Sequence, residues 1–180
     1  MKKILLIISG LALFILCGFP GCGVLPAPKE VLPAATQTGA NTFGCLVNGK
    51  VWLPKGNDGT SNLNLSYDPP YMGGVFNLQT YRYYGVGSND RQNITIYLDS
   101  LSKVGQYNFY FSHNRAAIFS DWNKCSYPND SSVIYKAGRI NVTKLDLQGA
   151  ILSGTFDFTL AKSNCDTIKV TEGRFDIKLK

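Results

Sequence analysis

Side chains that could carry out catalysis are few and far apart in this sequence of 180 residues. His113 is the only histidine, so a serine-histidine-aspartate triad would have to use it, and no G-x-S-x-G motif lies nearby. Glu30 and Glu172 are the only glutamates. A pair of catalytic carboxylates stays open as an alternative, because their separation in space decides whether they can cleave a glycoside. These residues favour a protein that is not an enzyme, with an enzyme of unrecognised type as the less favoured alternative.

Motifs for metals and cofactors are missing from the sequence. It contains no H-E-x-x-H, EF-hand loop, Gly-rich phosphate loop or C-x-x-C. Asp58, Asp90 and Asp130 each follow an asparagine in clusters typical of turns, with calcium binding at one loop as the alternative. Lys and Arg never form a block of three, whereas nucleic-acid-binding proteins usually cluster them. We therefore expect no cofactor, no metal site and no nucleic-acid partner.

A row of tyrosines and amides is the one constellation that could bind a ligand. If strands near residues 75–84, 92–99 and 106–112 form a meander, alternation places these side chains on one exposed sheet face. Aromatic rings and amides suit a glycan or a peptide, because rings bury apolar faces and amides both donate and accept hydrogen bonds. The alternatives are ordinary cross-strand tyrosine packing, or cover by residues 113–131. The candidate ligand-binding residues are Tyr81, Tyr83, Tyr97, Tyr110, Asn77 and Asn108.

The elements that would position this row are short strands separated by Gly, Pro, Asn and Ser clusters. Ile94, Ile96 and Leu98 alternate with polar residues, as in a half-buried strand. Asn48-Gly49 between two β-forming stretches predicts a type I′ hairpin turn. No segment of 12 residues has helical periodicity, although a short helix within 113–131 remains possible. The pattern predicts an all-β, antiparallel β-sandwich or barrel-like sandwich of about 9–10 strands.

The C-terminal strand changes parity, which predicts a bulge. Ile168 and Val170 share one parity, and Phe175 and Ile177 share the opposite one. An inserted residue near Gly173 would restore a single buried face, and a hairpin turn at Gly173 is the alternative.

The N-terminal segment reads as an export signal. Two lysines precede an apolar stretch from Ile4 to Leu16, which is too short to cross a membrane as a helix. Phe19-Pro20-Gly21-Cys22 resembles a lipoprotein cleavage box, so residues 1–21 are the predicted signal peptide and Cys22 the lipidation site. An uncleaved N-terminal anchor is the alternative to the signal peptide, and ordinary cleavage and secretion is the alternative to lipidation. Residues 22–42 are predicted to be a flexible, proline-containing tether, and residues 43–180 a single β domain.

Three cysteines remain after this assignment, and an exported domain permits disulfides. Cys125 and Cys165 lie in polar, loop-like stretches, so we predict that they form a disulfide. Cys45 lies in a predicted strand and should pack as a small apolar side chain. All three thiols being reduced is the alternative.

Both ends of the mature sequence resemble a Bacteroidetes family of uncharacterised lipoproteins. The resemblance rests on NTFGCLVNGKVW at residues 41–52, ILSGTFDF at residues 151–158 and TEGRFD at residues 171–176. It implies a β-rich protein anchored to the outer membrane, on its periplasmic side or at the cell surface, and it supplies no catalytic residues. In that phylum, Asp99-Ser100-Leu101 and Asp166-Thr167-Ile168 would be O-glycosylation sequons at Ser100 and Thr167.

The sequence therefore predicts a lipid-anchored envelope protein that binds a glycan or a protein partner. A structural or accessory subunit of an envelope complex is the alternative.

Overall fold

The computed structural model describes residues 28–85, 89–109 and 114–180. Within these ranges the chain forms eleven strands and a single short 3-10 turn at Tyr71–Gly73. The strands are β1 Thr42–Val47, β2 Lys50–Trp52, β3 Leu63–Asp68, β4 Val75–Tyr83, β5 Arg91–Leu98, β6 Gly105–Asn108, β7 Arg115–Asp121, β8 Ser126–Tyr127, β9 Val133–Asp146, β10 Ile151–Lys162 and β11 Ile168–Lys178.

The strands make two sheets that pack as an antiparallel sandwich. One sheet has six strands in the order β2-β1-β11-β10-β9-β6, and the other has five in the order β3-β4-β5-β7-β8. The predicted all-β sandwich is thus confirmed, and the described strands number one more than the upper end of the prediction. Asn48 and Gly49 both have positive φ, 48° and 76°, as the predicted turn between β1 and β2 requires.

The core lies between the sheets and is built by strand alternation. Leu78 and Ile96 project inward from the five-stranded sheet and are fully buried. Phe175 projects from the opposite sheet, and its ring centroid lies 5.6 Å from that of Phe76. Each such side chain contributes about 1.5–3 kcal/mol by leaving water. Cys45 belongs to this core as a free thiol with no exposed surface, as predicted.

The predicted bulge is present near the start of β11. The register against β1 and β10 shifts by one residue between Val170 and Gly173, and Glu172 there has a φ of 53°. The extra residue lets Ile168 and Val170 face the core together with Phe175 and Ile177. At Gly173 an added Cβ would lie 2.4 Å from the Phe156 ring, so only glycine fits. β11 is a single strand through Gly173, so the alternative of a hairpin turn there is wrong.

The predicted meander is wrong at its third strand. β4 pairs with β5, but β5 pairs next with β7, while β6 joins the edge of the other sheet beside β9. Asn108 therefore lies in the sheet opposite Tyr97. Alternation in the sequence shows that a strand is half-buried, but it does not show which strand pairs with it, and this explains the error. β7 lies within residues 113–131, where the sequence analysis placed no strand. Its two alanines give a weak hydrophobic signal, which explains the omission.

The segment before β1, which we name the stem (residues 30–41), lies against the sandwich. The Asp176 carboxylate accepts hydrogen bonds from the Thr36 hydroxyl at 2.6 Å and from the Thr38 and Gly39 amides at 2.9 and 2.8 Å. Glu30 forms ion pairs with Lys55 and Arg82 at 3.1 and 3.3 Å. We expected a flexible tether up to residue 42. That expectation is corrected for the stem, because these contacts fasten it to the six-stranded sheet and to β4.

Candidate functional site

The outer surface of the five-stranded sheet carries a band of polar side chains, which we name the amide face. Register aligns them across three strands: Asn64 of β3 is opposite Gln79 of β4, and Gln79 is opposite Thr95 of β5. A parallel row brings Asn77 beside Tyr97. All five side chains point away from the core, because they alternate with buried residues such as Leu78 and Ile96. The amide face consists of Asn64, Asn77, Gln79, Asn93, Thr95 and Tyr97.

A depression of about 320 Å³ lies on this face. The loop at residues 57–61 forms one wall, with Thr60 and Ser61 on the rim. Amides and hydroxyls of the strands form the floor, and they include Asn93, whose Oδ1 accepts a hydrogen bond from Arg91 Nε at 2.9 Å. An open depression lined by side chains that donate and accept suits a ligand rich in hydroxyl groups.

Tyr81 lies at the edge of the depression but is not an exposed ring. Only 4% of it is accessible. Its hydroxyl donates to Asp58 Oδ1 at 2.8 Å, and the Arg91 guanidinium lies 4.2 Å from the centre of its ring. The sequence-based expectation of an exposed Tyr81 is wrong, because the 57–61 loop and Arg91 cover both the hydroxyl and a ring face. Tyr83 and Tyr97 are half-buried.

Asp58 and Arg91 neutralise each other beside the depression. Arg91 Nη1 lies 2.6 Å from Asp58 Oδ2. Hydrogen bonds from Thr60 and Tyr81, together with the charge of Arg91, lower the pKa of Asp58 to about 2. Asp58 was interpreted as a turn residue, and its bonds to the Thr60 amide and hydroxyl confirm that role. Because the pair is neutral overall, the depression favours a ligand without charge.

The sequence interpretation missed two contributors to the site. Asn64 has the polar parity of β3, between Leu63 and Leu65, so alternation could have revealed it. Arg91 shares the parity of Asn93 and Thr95, but the predicted strand began one residue later. The contact of Arg91 with Asp58 spans 33 residues of sequence, and no local pattern indicates it.

The remaining candidate residues fall in three places. Cys22 and Tyr110 lie outside the described residues, as does His113. Ser100 and Thr167 are both exposed, in the connections before β6 and before β11. Cys125 and Cys165 form the predicted disulfide, which links the β7–β8 turn to the β10–β11 turn and so joins the two sheets.

A larger open groove, of about 810 Å³, lies between the edges of the two sheets. Leu63 and Leu65 of β3 form one side, and Phe43 and Ile177 the other. The stem residues 31–33 also line it. Apolar side chains form more of the groove surface than polar ones do, and Asn64 of the amide face also lines it.

Two further observations concern the described ranges only. No three His, Cys, Asp or Glu side chains come together there in a way that could hold a metal ion. None of the helical structure in the same ranges has the length and apolar character needed to cross a membrane.

No curated protein and no solved structure matches the chain significantly. A family described as a domain of unknown function matches residues 71–176, from the turn before β4 to Asp176 in β11. The match includes β4 and β5 of the amide face, both disulfide cysteines and the C-terminal stretches noted above. Since it covers more than half of the sequence, the chain belongs to the family described as "Domain of unknown function (DUF6252)".

Proposed function

We propose that this protein is a lipid-anchored bacterial envelope protein of the Bacteroidetes type that binds a neutral glycan on its amide face and is not an enzyme. Lipidation at Cys22 and a location at the outer membrane are parts of this proposal. They are supported by the Phe19–Cys22 box and by the sequence resemblance, both described above.

The observation that carries the glycan proposal is the alignment of Asn64, Gln79 and Thr95 across three adjacent strands. Neighbouring strands lie about 4.8 Å apart, so the three side chains form a row about 10 Å long. Polar side chains in such a row can bond several hydroxyls along a bound glycan. Tyr97, one row along, adds a half-buried ring whose apolar surface could contact a second residue.

The charge of the depression narrows the ligand class. Arg91 is paired with Asp58 and stacked on Tyr81, so its charge is already compensated. An anionic ligand would have to compete with Asp58 for the guanidinium. A neutral oligosaccharide requires no such exchange.

The experiment measures binding of the purified domain with its stem (residues 30–180) to a glycan array. The glycan that binds most strongly is then titrated to determine its affinity. Gln79→Ala and Asn93→Ala should each weaken binding by about tenfold, the effect of losing one good hydrogen bond. The matched control is Asn141→Ala, which removes an exposed amide from the six-stranded sheet. Unchanged affinity in both amide-face variants would contradict the proposal, as would an array without any bound glycan.

A second candidate function is that of an accessory subunit held by a protein partner. The apolar groove of about 810 Å³ favours it, because β3 is an edge strand along one side of this groove. A photo-crosslinker at Lys180, on the groove, should then capture one defined envelope protein, and the same crosslinker at Gln79 should not. Capture from Gln79 alone would contradict this second candidate.

A further inference from the structure

We propose that one end of the sandwich, carrying Trp122 and Tyr84, rests on the membrane that anchors the protein. This inference rests on the proposed lipidation of Cys22. It adds to that proposal a fixed orientation and a contact surface. We name this end the Trp122 end; it comprises Tyr84 after β4, the β7–β8 turn with Trp122, and the loop at residues 55–58.

The path of the stem determines which end lies closest to the anchor. Glu30 is held at the Trp122 end by Lys55 and Arg82. From there the stem passes Gly44 of β1, and at Thr38 and Gly39 it reaches Asp176 near the far end of β11. The chain from Cys22 therefore arrives at the Trp122 end and not at the opposite one.

The length of chain before Glu30 limits the distance to the membrane. Eight residue steps separate Cys22 from Glu30, and a fully extended chain covers at most about 28 Å over that length. A freely moving tether of about 20 residues would have permitted any orientation. The docked stem removes more than half of that tether, so Glu30 at the Trp122 end lies within about 28 Å of the anchored Cys22.

The Trp122 end presents the side chains that suit a membrane interface. Trp122 is 54% exposed and Tyr84 is 44% exposed. Tryptophan and tyrosine favour the headgroup region, because their rings are apolar while each keeps a polar group. A single exposed aromatic has little meaning. Here Trp122 and Tyr84 are both exposed at the end of the sandwich where the stem begins at Glu30.

Intermediate contacts lead from Trp122 to the loop that holds Glu30 of the stem. The Arg91 guanidinium lies 5.0 Å from the Trp122 ring and 5.7 Å from the Tyr83 ring. A Cβ at Gly56, next to Lys55, would touch the Tyr83 ring, so this loop lies directly on it. Trp122 and the loop that holds Glu30 are thus neighbours, with Arg91 and Tyr83 between them.

The opposite end offers a natural control. Tyr71 and Met72 precede β4 and are also exposed, at 59% and 53%. The nine residues of β4 separate them from Tyr84 by about 27 Å. They resemble Trp122 and Tyr84 in apolar character, but the stem does not enter near them.

The test uses tryptophan fluorescence of the full-length, acylated protein in vesicles of phosphatidylethanolamine and phosphatidylglycerol that contain brominated lipid. Trp52 is 2% exposed and provides a constant background, so Trp122 is the reporter. We expect strong quenching of the Trp122 emission, and the variant W122F should lose it. The double variant Tyr71→Trp with W122F moves the reporter to the opposite end and should show no quenching.

Mass spectrometry of Cys22 on the same sample separates the two proposals. An acylated protein whose Trp122 is not quenched would overturn the orientation and leave the lipid anchor standing. Equal quenching at positions 71 and 122 would also overturn it. A Cys22 without acyl chains would overturn both proposals.

Discussion

The Asp176 carboxylate accepts a hydrogen bond from the backbone amide of Thr38 at 2.9 Å, across 138 residues of sequence. Five further donors converge on the same two oxygens, from Thr36, Thr38, Gly39, Ala40 and Ser153. Asp176 is 1% exposed. A single buried side chain of β11 thus fastens the stem to the sandwich.

Replacing Asp176 by asparagine should destabilise the protein by about 3 kcal/mol, because an amide nitrogen cannot accept the bonds that one carboxylate oxygen now receives. Urea unfolding measures this loss, and hydrogen exchange at the Thr38 and Gly39 amides should accelerate. The control is Asp157→Asn, which removes an exposed ion pair with Arg139 and should cost at most about 0.5 kcal/mol. Equal losses in both variants would show that Asp176 has no special role.

Acid should weaken the same attachment. Burial alone would raise the pKa of Asp176, but hydrogen bonds from Thr36, Ser153 and the backbone outweigh it and hold the pKa well below the usual range. A lowered folded-state pKa gives stability that is present above the unfolded value of about 3.9 and is lost as the pH falls below it. Urea unfolding between pH 7 and pH 2 should therefore show a decline in the wild-type protein that is smaller in Asp176→Asn. Parallel pH profiles would contradict this account.

The disulfide should be a major source of stability. Cys125 and Cys165 close a loop of 40 residues, for which the chain-entropy model gives about 4 kcal/mol. The double variant Cys125→Ala, Cys165→Ala should lose about that free energy of unfolding. Dithiothreitol should cause a similar loss in the wild-type protein and none in the double variant. If reduction left the urea midpoint of the wild-type protein unchanged, the disulfide would make no contribution to the free energy of unfolding.

The Cys45 thiol should resist modification in the folded protein. Burial in the core raises its pKa to about 12, so the reactive thiolate is scarce at neutral pH, and no part of its side chain is exposed. Reaction with a thiol-specific dye at pH 8 should proceed at the rate of global unfolding. Wild-type protein and Asp176→Asn should differ in that rate, since the variant unfolds more readily. Rapid labelling of the native protein would place Cys45 outside the core.

Local patterns were sufficient for much of the fold. Alternation at Ile94, Ile96 and Leu98 identified β5. Asn48-Gly49 identified the turn between β1 and β2, and the parity change near Gly173 identified the bulge in β11. Each of these signals depends on neighbours in sequence, because a strand has a period of two and a turn has fixed backbone angles.

The arrangement of the site could be predicted only in part. Outward parity placed Asn77 and Tyr97 on one face, and the structure agrees. The burial of Tyr81 depends on Asp58, 23 residues away, and the strand beside β5 is β7 instead of β6. Such relationships depend on packing between segments that are distant in sequence. They leave no local periodicity from which a single sequence could predict them.

The docked stem also determines how a soluble fragment of this protein should be cut for biochemical work. A fragment that begins at Thr42 would contain all eleven described strands, and sequence alone makes that boundary attractive. It would nevertheless lack Thr36, Thr38, Gly39 and Ala40, and would leave Asp176 with Ser153 as the one donor of the six that remains. It would also remove the stem residues that line the apolar groove, and it would expose Gly44, which now lies against Leu32 and Pro33. A fragment that starts at or before Glu30 keeps the domain whole.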